Sequence, residues 1–114
     1  MYEKPKGLVA LDLETHGLNP WVHGIIMAGF FDGHSFVACR TREHFREVFK
    51  TYTGYSFVGH NVVFDFRFLL VLGWITQKEF NELDIHDTQL MAHVCTTKVP
   101  QAYLEQYEAH RREL

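Results

Sequence analysis

Two acids, Asp12 and Glu14, stand in the run Leu8-Val9-Ala10-Leu11-Asp12-Leu13-Glu14-Thr15. In an extended chain residues two apart point the same way, so both carboxylates converge on one spot and repel each other unless positive charge sits between them. That is the chemistry of a cation site. A third acid, Asp65, lies in Gly59-His60-Asn61-Val62-Val63-Phe64-Asp65-Phe66, among apolar neighbours at the start of an apolar helical stretch. A carboxylate buried there costs several kcal/mol unless it is neutralised, hydrogen-bonded or bound to a cation. The helix N-terminus offsets only about 0.3 to 1 kcal/mol of this. Taken singly, each group has a plainer reading: Asn61 as an N-cap, Asp65 as an ordinary first-turn acid, and the Asp12–Glu14 pair as a solvated loop edge.

The elements that would position these groups follow from periodicity. Gly7 to Glu14 reads as a fully buried central strand, and Gly17 and Asn19-Pro20 mark the turn after it. Ile25 to Phe31 and Ser35 to Cys39 are two further strands, with Asp32-Gly33 as the hairpin signal between them. After Thr41 the spacing of Phe45, Val48, Phe49 and Tyr52 predicts an amphipathic helix stopped by Gly54. Ser56 to Gly59 is a short strand. Val62 to Leu72 is a helix apolar on every side, hence buried, ending at Gly73. Leu83 to His86 reads as a last short strand. Asp87-Thr88 opens a helix carrying Leu90, Met91, Val94 and Cys95 on its inner side, with Asp87 as its cap. Pro100 begins a final helix with the stripe Tyr103, Tyr107, His110 and Leu114. A meander followed by alternating helix and strand predicts an α/β domain, a mixed sheet with helices packed on it.

A chain of 114 residues, 46% of them hydrophobic and ten of them Phe, has the material for one core and so one domain over 1–114. The formal net charge of −3 argues against binding nucleic acid by bulk charge, so any such contact must be local and metal-assisted. Cys39 and Cys95 match neither a zinc spacing nor a disulfide framework and read as two reduced thiols. The eight His are scattered, with no pair at the spacing of a helical zinc motif. His86 reads as a core or edge histidine, and nothing in the sequence ties Asp84 to a site. No apolar run reaches the ~20 residues of a membrane span, and Met1-Tyr2-Glu3-Lys4 lacks the apolar stretch of a signal peptide, so a cytoplasmic protein without membrane contact is expected.

In combination these residues occur in an informative order. The segment Leu11-Asp12-Leu13-Glu14-Thr15 with Gly17-Leu18 matches the D-x-E motif of the 3′→5′ proofreading exonucleases of the DEDD superfamily. His60-Asn61 with Phe64-Asp65 matches that group's second motif. Asp84-Ile85-His86-Asp87-Thr88 followed by Leu90 and Ala92 is similar to the segment that follows it. Over essentially its whole length the chain resembles the exonuclease domain of family A DNA polymerases of the phage type. The resemblance implies a ribonuclease H-like fold and a two-metal phosphodiesterase using Mg²⁺ or Mn²⁺ held by oxygen ligands. It implies that Asp12 bridges both ions, that Glu14 binds the ion on the nucleophile side and that Asp65 holds the one on the leaving-group side. It also implies that Thr15 and Leu18 touch the terminal nucleotide, that Asn61 orients substrate or site, and that the substrate is the 3′ end of single-stranded DNA. Cations held by these acids would attract the phosphate without a basic surface. A phage-encoded protein would work in the host cytoplasm.

The family's third motif, Y-x-x-x-D or H-x-x-x-x-D, brings a fourth carboxylate and the residue that orients the attacking water. It is missing here: no Asp follows Asp87, and Tyr103 and Tyr107 are followed four positions on by Tyr107 and Arg111. Glu105, Glu108 and Glu113 fall on a solvated helix face. The chain stops at Arg111-Arg112-Glu113-Leu114 inside a helical pattern with no closing Gly or Asn. The expectation is therefore the amino-terminal part of an exonuclease or polymerase, incomplete at its C-terminus. Such a chain would be weak or inactive alone, with a polymerase subunit or the remaining exonuclease segment as partner. A different class fits the same residues: a non-catalytic module that keeps the fold and docks a polymerase or another partner through exposed apolar surface. An RNA-directed nuclease of the same superfamily is a third reading.

Overall fold

A computed structural model describes residues 5–89 together with Glu105 and Ala109. The elements run β1 (Leu8–Thr15), β2 (Ile25–Phe31), β3 (Phe36–Cys39), α1 (Arg42–Thr51), β4 (Ser56–Gly59), α2 (Val62–Val71), α3 (Gln77–Glu82) and β5 (Asp84–Asp87). They build an α/β protein around a five-stranded mixed sheet of order β3-β2-β1-β4-β5. The first three strands form the expected antiparallel meander, while β4 lies parallel to β1, and β5 parallel to β4. The carboxyl ends of β1, β4 and β5 therefore share one end of the sheet, the end at which open α/β sheets hold their ligands.

The central strand departs from the expectation of full burial. Val9, Leu11 and Leu13 are buried, whereas Leu8, Ala10, Asp12 and Glu14 are exposed. Among the described residues the helices supply apolar partners to one face, where Phe45 and Phe49 of α1 and Phe66, Phe68 and Leu69 of α2 join Val9, Leu11, Phe30 and Phe57 in one core. Both acids of the opening motif thus sit on the other face, as the alternation of a strand requires. On that face Leu8, Phe31 and Phe36 are 60%, 49% and 62% exposed.

Local chemistry explains most element boundaries. The Asp32 carboxylate accepts the N–H groups of His34 and Ser35, fixing the β2–β3 turn, and its other oxygen accepts the Tyr52 hydroxyl. Thr41 caps α1 by accepting the His44 N–H at 3.2 Å. The helix α3 was not expected from periodicity; its start is a capping box in which Thr76 accepts the Glu79 N–H and Glu79 accepts the Thr76 N–H. Glu79 also binds Arg46 of α1 through two bonds of 2.7 and 2.9 Å, tying α3 to α1. Cys39 is a buried free thiol. The expected helices after Asp87 and after Pro100, with Cys95 and the Tyr103, Tyr107, His110, Leu114 stripe, lie outside the described residues, except that positions 105 and 109 are helical and exposed. No helix among the described residues is long and apolar enough to cross a membrane.

Candidate functional site

The strand β1 carries Asp12 and Glu14 toward the shared carboxyl ends. Between Glu14 and Thr15 the pairing with β2 shifts register, leaving Ile26 as an extra residue on β2. Such bulges sharpen local twist and re-aim the side chains beside them. The strand β4 ends at Gly59, and the chain turns directly into α2. A side chain on Gly59 would place its Cβ 2.8 Å from Val62 and 3.3 Å from the Leu11 carbonyl, so the lack of one brings the start of α2 close against β1.

Asn61 takes the N-cap position of α2 but in a left-handed conformation, φ 60° and ψ 61°, and its side chain makes no capping bond. Asn is among the residues that tolerate this region. The capping oxygens come instead from Asp87 at the end of β5, which accepts the N–H of Asn61 at 3.0 Å and of Val62 at 3.3 Å. Asp87 also accepts the Gln89 N–H at 2.9 Å, so its expected role at the following helix is joined by one at α2 that sequence reasoning did not find. The signal for it was an Asp at a strand end; the partner it meets is set by tertiary pairing. Thr88 continues this seam, donating to the Gly59 carbonyl at 3.1 Å and lying 3.2 Å from His60 Nδ1.

One turn into α2, Asp65 is only 4% exposed, and its Oδ2 has no hydrogen-bond partner among the described residues. Burial is the largest cause that pushes its carboxyl up to about 7, and the negative charges of Asp12 and Asp87 push it further. The architecture thus brings Asp65 within electrostatic reach of Asp12, from a separate element. Glu14 lies one strand period beyond Asp12 on the same exposed face. Among the described residues no group of three or more His, Cys, Asp or Glu side chains is gathered closely enough to hold a metal ion. The assembled set is the Asp12–Asp65 pair, with Asp87 committed to backbone N–H groups.

The remaining predicted residues fall around this end of the sheet. Thr15 is half-buried, and its hydroxyl donates to the Gly17 carbonyl at 2.6 Å, holding the turn after β1. Leu18, in the same turn, is 82% exposed. Asn61 is exposed. Asp84 lies on β5, where its carboxylate accepts the Ser56 hydroxyl at 2.6 Å and meets His86 at 3.3 Å. That edge arrangement is the one expected for His86. A buried carboxyl with one oxygen unpaired among the described residues, pressed by a second acid, is a group whose environment favours either a proton or a cation. No model of a known protein family matches the chain, and no curated protein matches it.

Proposed function

We propose that this chain is a metal-dependent 3′→5′ exonuclease domain, or a subunit of one, that removes terminal nucleotides from DNA. The single observation that carries the reading is Asp65: a buried acid whose Oδ2 has no partner among the described residues, and which feels the charge of Asp12 of the D-x-E motif on the central strand. The mixed sheet with flanking helices is compatible with the ribonuclease H-like arrangement the motifs imply. Asp12, Glu14 and Asp65 are the residues that would hold Mg²⁺ or Mn²⁺, with carboxylate oxygens of the type these hard ions prefer. Bound there, the ions supply positive charge against the scissile phosphate as it gains charge in the transition state.

The chain's own groups have separate tasks in this reading. Burial and the charges of Asp12 and Asp87 raise the Asp65 carboxyl to about 7, so a cation held there would favour its ionised form. Asp87 fixes the start of α2, and so the position of Asp65 against Asp12. Thr15 shapes the turn that carries Leu18 toward the terminal nucleotide, and Asn61 offers an exposed amide that makes no capping bond. With two acids gathered and no Asp after Asp87, the isolated chain is a poor catalyst.

The test is degradation of a labelled single-stranded DNA oligonucleotide with Mn²⁺. Slow shortening from the 3′ end, abolished in Asp65→Ala, is expected. Equal activity of parent and Asp65→Ala would exclude the reading. A second reading, a non-catalytic module that docks a polymerase, is favoured by the exposed Leu8, Phe31 and Phe36 on the sheet face opposite α1 and α2. It predicts no DNA shortening under any metal condition.

A further inference from the structure

We propose that Trp21 is a stacking platform for an unpaired nucleobase, so that single-stranded nucleic acid crosses the loop between β1 and β2 on its way to the Asp12–Asp65 pair; this rests on the exonuclease reading. Residues 16–24 lie at the carboxyl end of β1 and hold three large apolar side chains in solvent. Leu18 is 82%, Trp21 73% and Val22 74% exposed. The exposure is not that of a slack segment. The Trp21 N–H donates to Asn19 Oδ1 at 3.0 Å, and the N–H groups of Val22 and His23 donate to the Asn19 carbonyl at 3.1 and 2.7 Å. The Asn19 N–H donates back to His23 Nδ1 at 3.2 Å, and His16 N–H closes the base on the Gly24 carbonyl at 3.0 Å. A Cβ on Gly17 would lie 2.5 Å from the His23 ring, so the two arms of the loop touch. Pro20, between Asn19 and Trp21, is buried. The indole is thus presented on a braced frame.

The chemistry of this patch selects its occupant. The sequence His16-Gly17-Leu18-Asn19-Pro20-Trp21-Val22-His23-Gly24 contains no Lys, Arg, Asp or Glu. It carries no fixed positive charge with which to grip phosphates or anionic lipid headgroups. A neutral π-face flanked by aliphatic side chains fits the one neutral, flat part of a nucleic acid, the base, and does so without sequence preference. The patch is tied to the strand that carries Asp12 and Glu14, because Thr15, the last residue of β1, is hydrogen-bonded into the loop at Gly17.

Fluorescence of the full chain tests this, because Trp21 is exposed while Trp74, the other tryptophan, is buried. The chain is titrated with dT₈, and in a parallel arm with rU₈, in Ca²⁺, which takes similar oxygen ligands with looser geometry. Binding is read independently by anisotropy of end-labelled oligonucleotide. Expected are quenching of the exposed emission, roughly tenfold weaker binding in Trp21→Ala, and near-parental binding in Trp21→Phe, which keeps an aromatic face. Both variants should melt with the parent, since the side chain is in solvent. Binding by anisotropy that neither changes Trp21 emission nor weakens in Trp21→Ala overturns this inference and leaves the exonuclease reading standing. No binding of either oligonucleotide overturns both. A shift of Trp21 emission on dilution of the chain alone, without oligonucleotide, makes the loop a contact between copies and overturns the nucleobase assignment.

Discussion

Asp65 is where the demands of folding and of chemistry conflict most openly. Its carboxyl, 4% exposed and with no partner for Oδ2 among the described residues, is raised to about 7 by burial and by the charges of Asp12 and Asp87. Because this lies above the ordinary value of 3.8, the folded state holds the proton more tightly than the unfolded chain does. The associated stabilisation is complete below about pH 4 and is lost as pH rises through about 7. In metal-free buffer, chemical denaturation should show stability falling between pH 5 and pH 8, by at most about 4 kcal/mol. Asp65→Asn should flatten that slope, and Mg²⁺ should restore stability to the parent at pH 8. A flat profile in the parent would show that the acid is not confined as described. The pairing of Asp65 with Asp12 was reachable in the sequence only through the resemblance, because periodicity places each acid on its own element and says nothing about which elements meet.

Among the elements, the seam between α2 and β5 matters most to the site. Asp87 satisfies the first N–H groups of α2, which its own N-cap residue leaves unpaired. Asp87→Ala should cost about 1 to 2 kcal/mol, as the loss of a good cap does, measured by urea denaturation. Asp87→Asn, which keeps one accepting oxygen, should cost less. Away from the site, α3 is held to α1 by the Arg46–Glu79 fork. The Arg46 hydrogen bond is the main cause that holds Glu79 down to about 2 from 4.5. A carboxyl lowered in this way stabilises fully above its unfolded value and loses that contribution as pH falls from about 4.5 through 2. Both side chains are partly solvated, so Glu79→Gln should cost only about 1 kcal/mol at pH 7 and nothing measurable near pH 2.

The same elements mark what the sequence could and could not disclose. The strands β2 and β4 and the helices α1 and α2 follow from apolar spacing, within a residue at α2. The one-sidedness of β1 was hidden because Leu8-Val9-Ala10-Leu11 is apolar at every position, so alternation could not be seen until Asp12. The short α3 has too few residues for a helical period. Its Thr76-x-x-Glu79 pair was nevertheless a readable capping box preceding Phe80. The second role of Asp87 needed β5 to be placed beside the start of α2, which no local pattern specifies.

Over the described residues, one side of a five-stranded mixed sheet packs against α1 and α2, and the acids of β1 lie on the other, at the end where β1, β4 and β5 all finish. Around that end lie Asp65, whose Oδ2 has no partner among the described residues, the exposed side chain of Asn61 and the braced apolar loop 16–24. The exonuclease reading requires that Asp12 and Asp65 serve one cation rather than merely repel each other. Titration of the chain with Mn²⁺, followed by the electron paramagnetic resonance of the free ion, asks this directly. The parent chain should deplete the free-ion signal, Asp12→Asn and Asp65→Asn should each weaken binding about tenfold or more, and Asp84→Asn should bind as the parent does. Mn²⁺ left free by the parent chain, or bound equally by the parent and both site variants, would contradict a shared cation at this pair of acids.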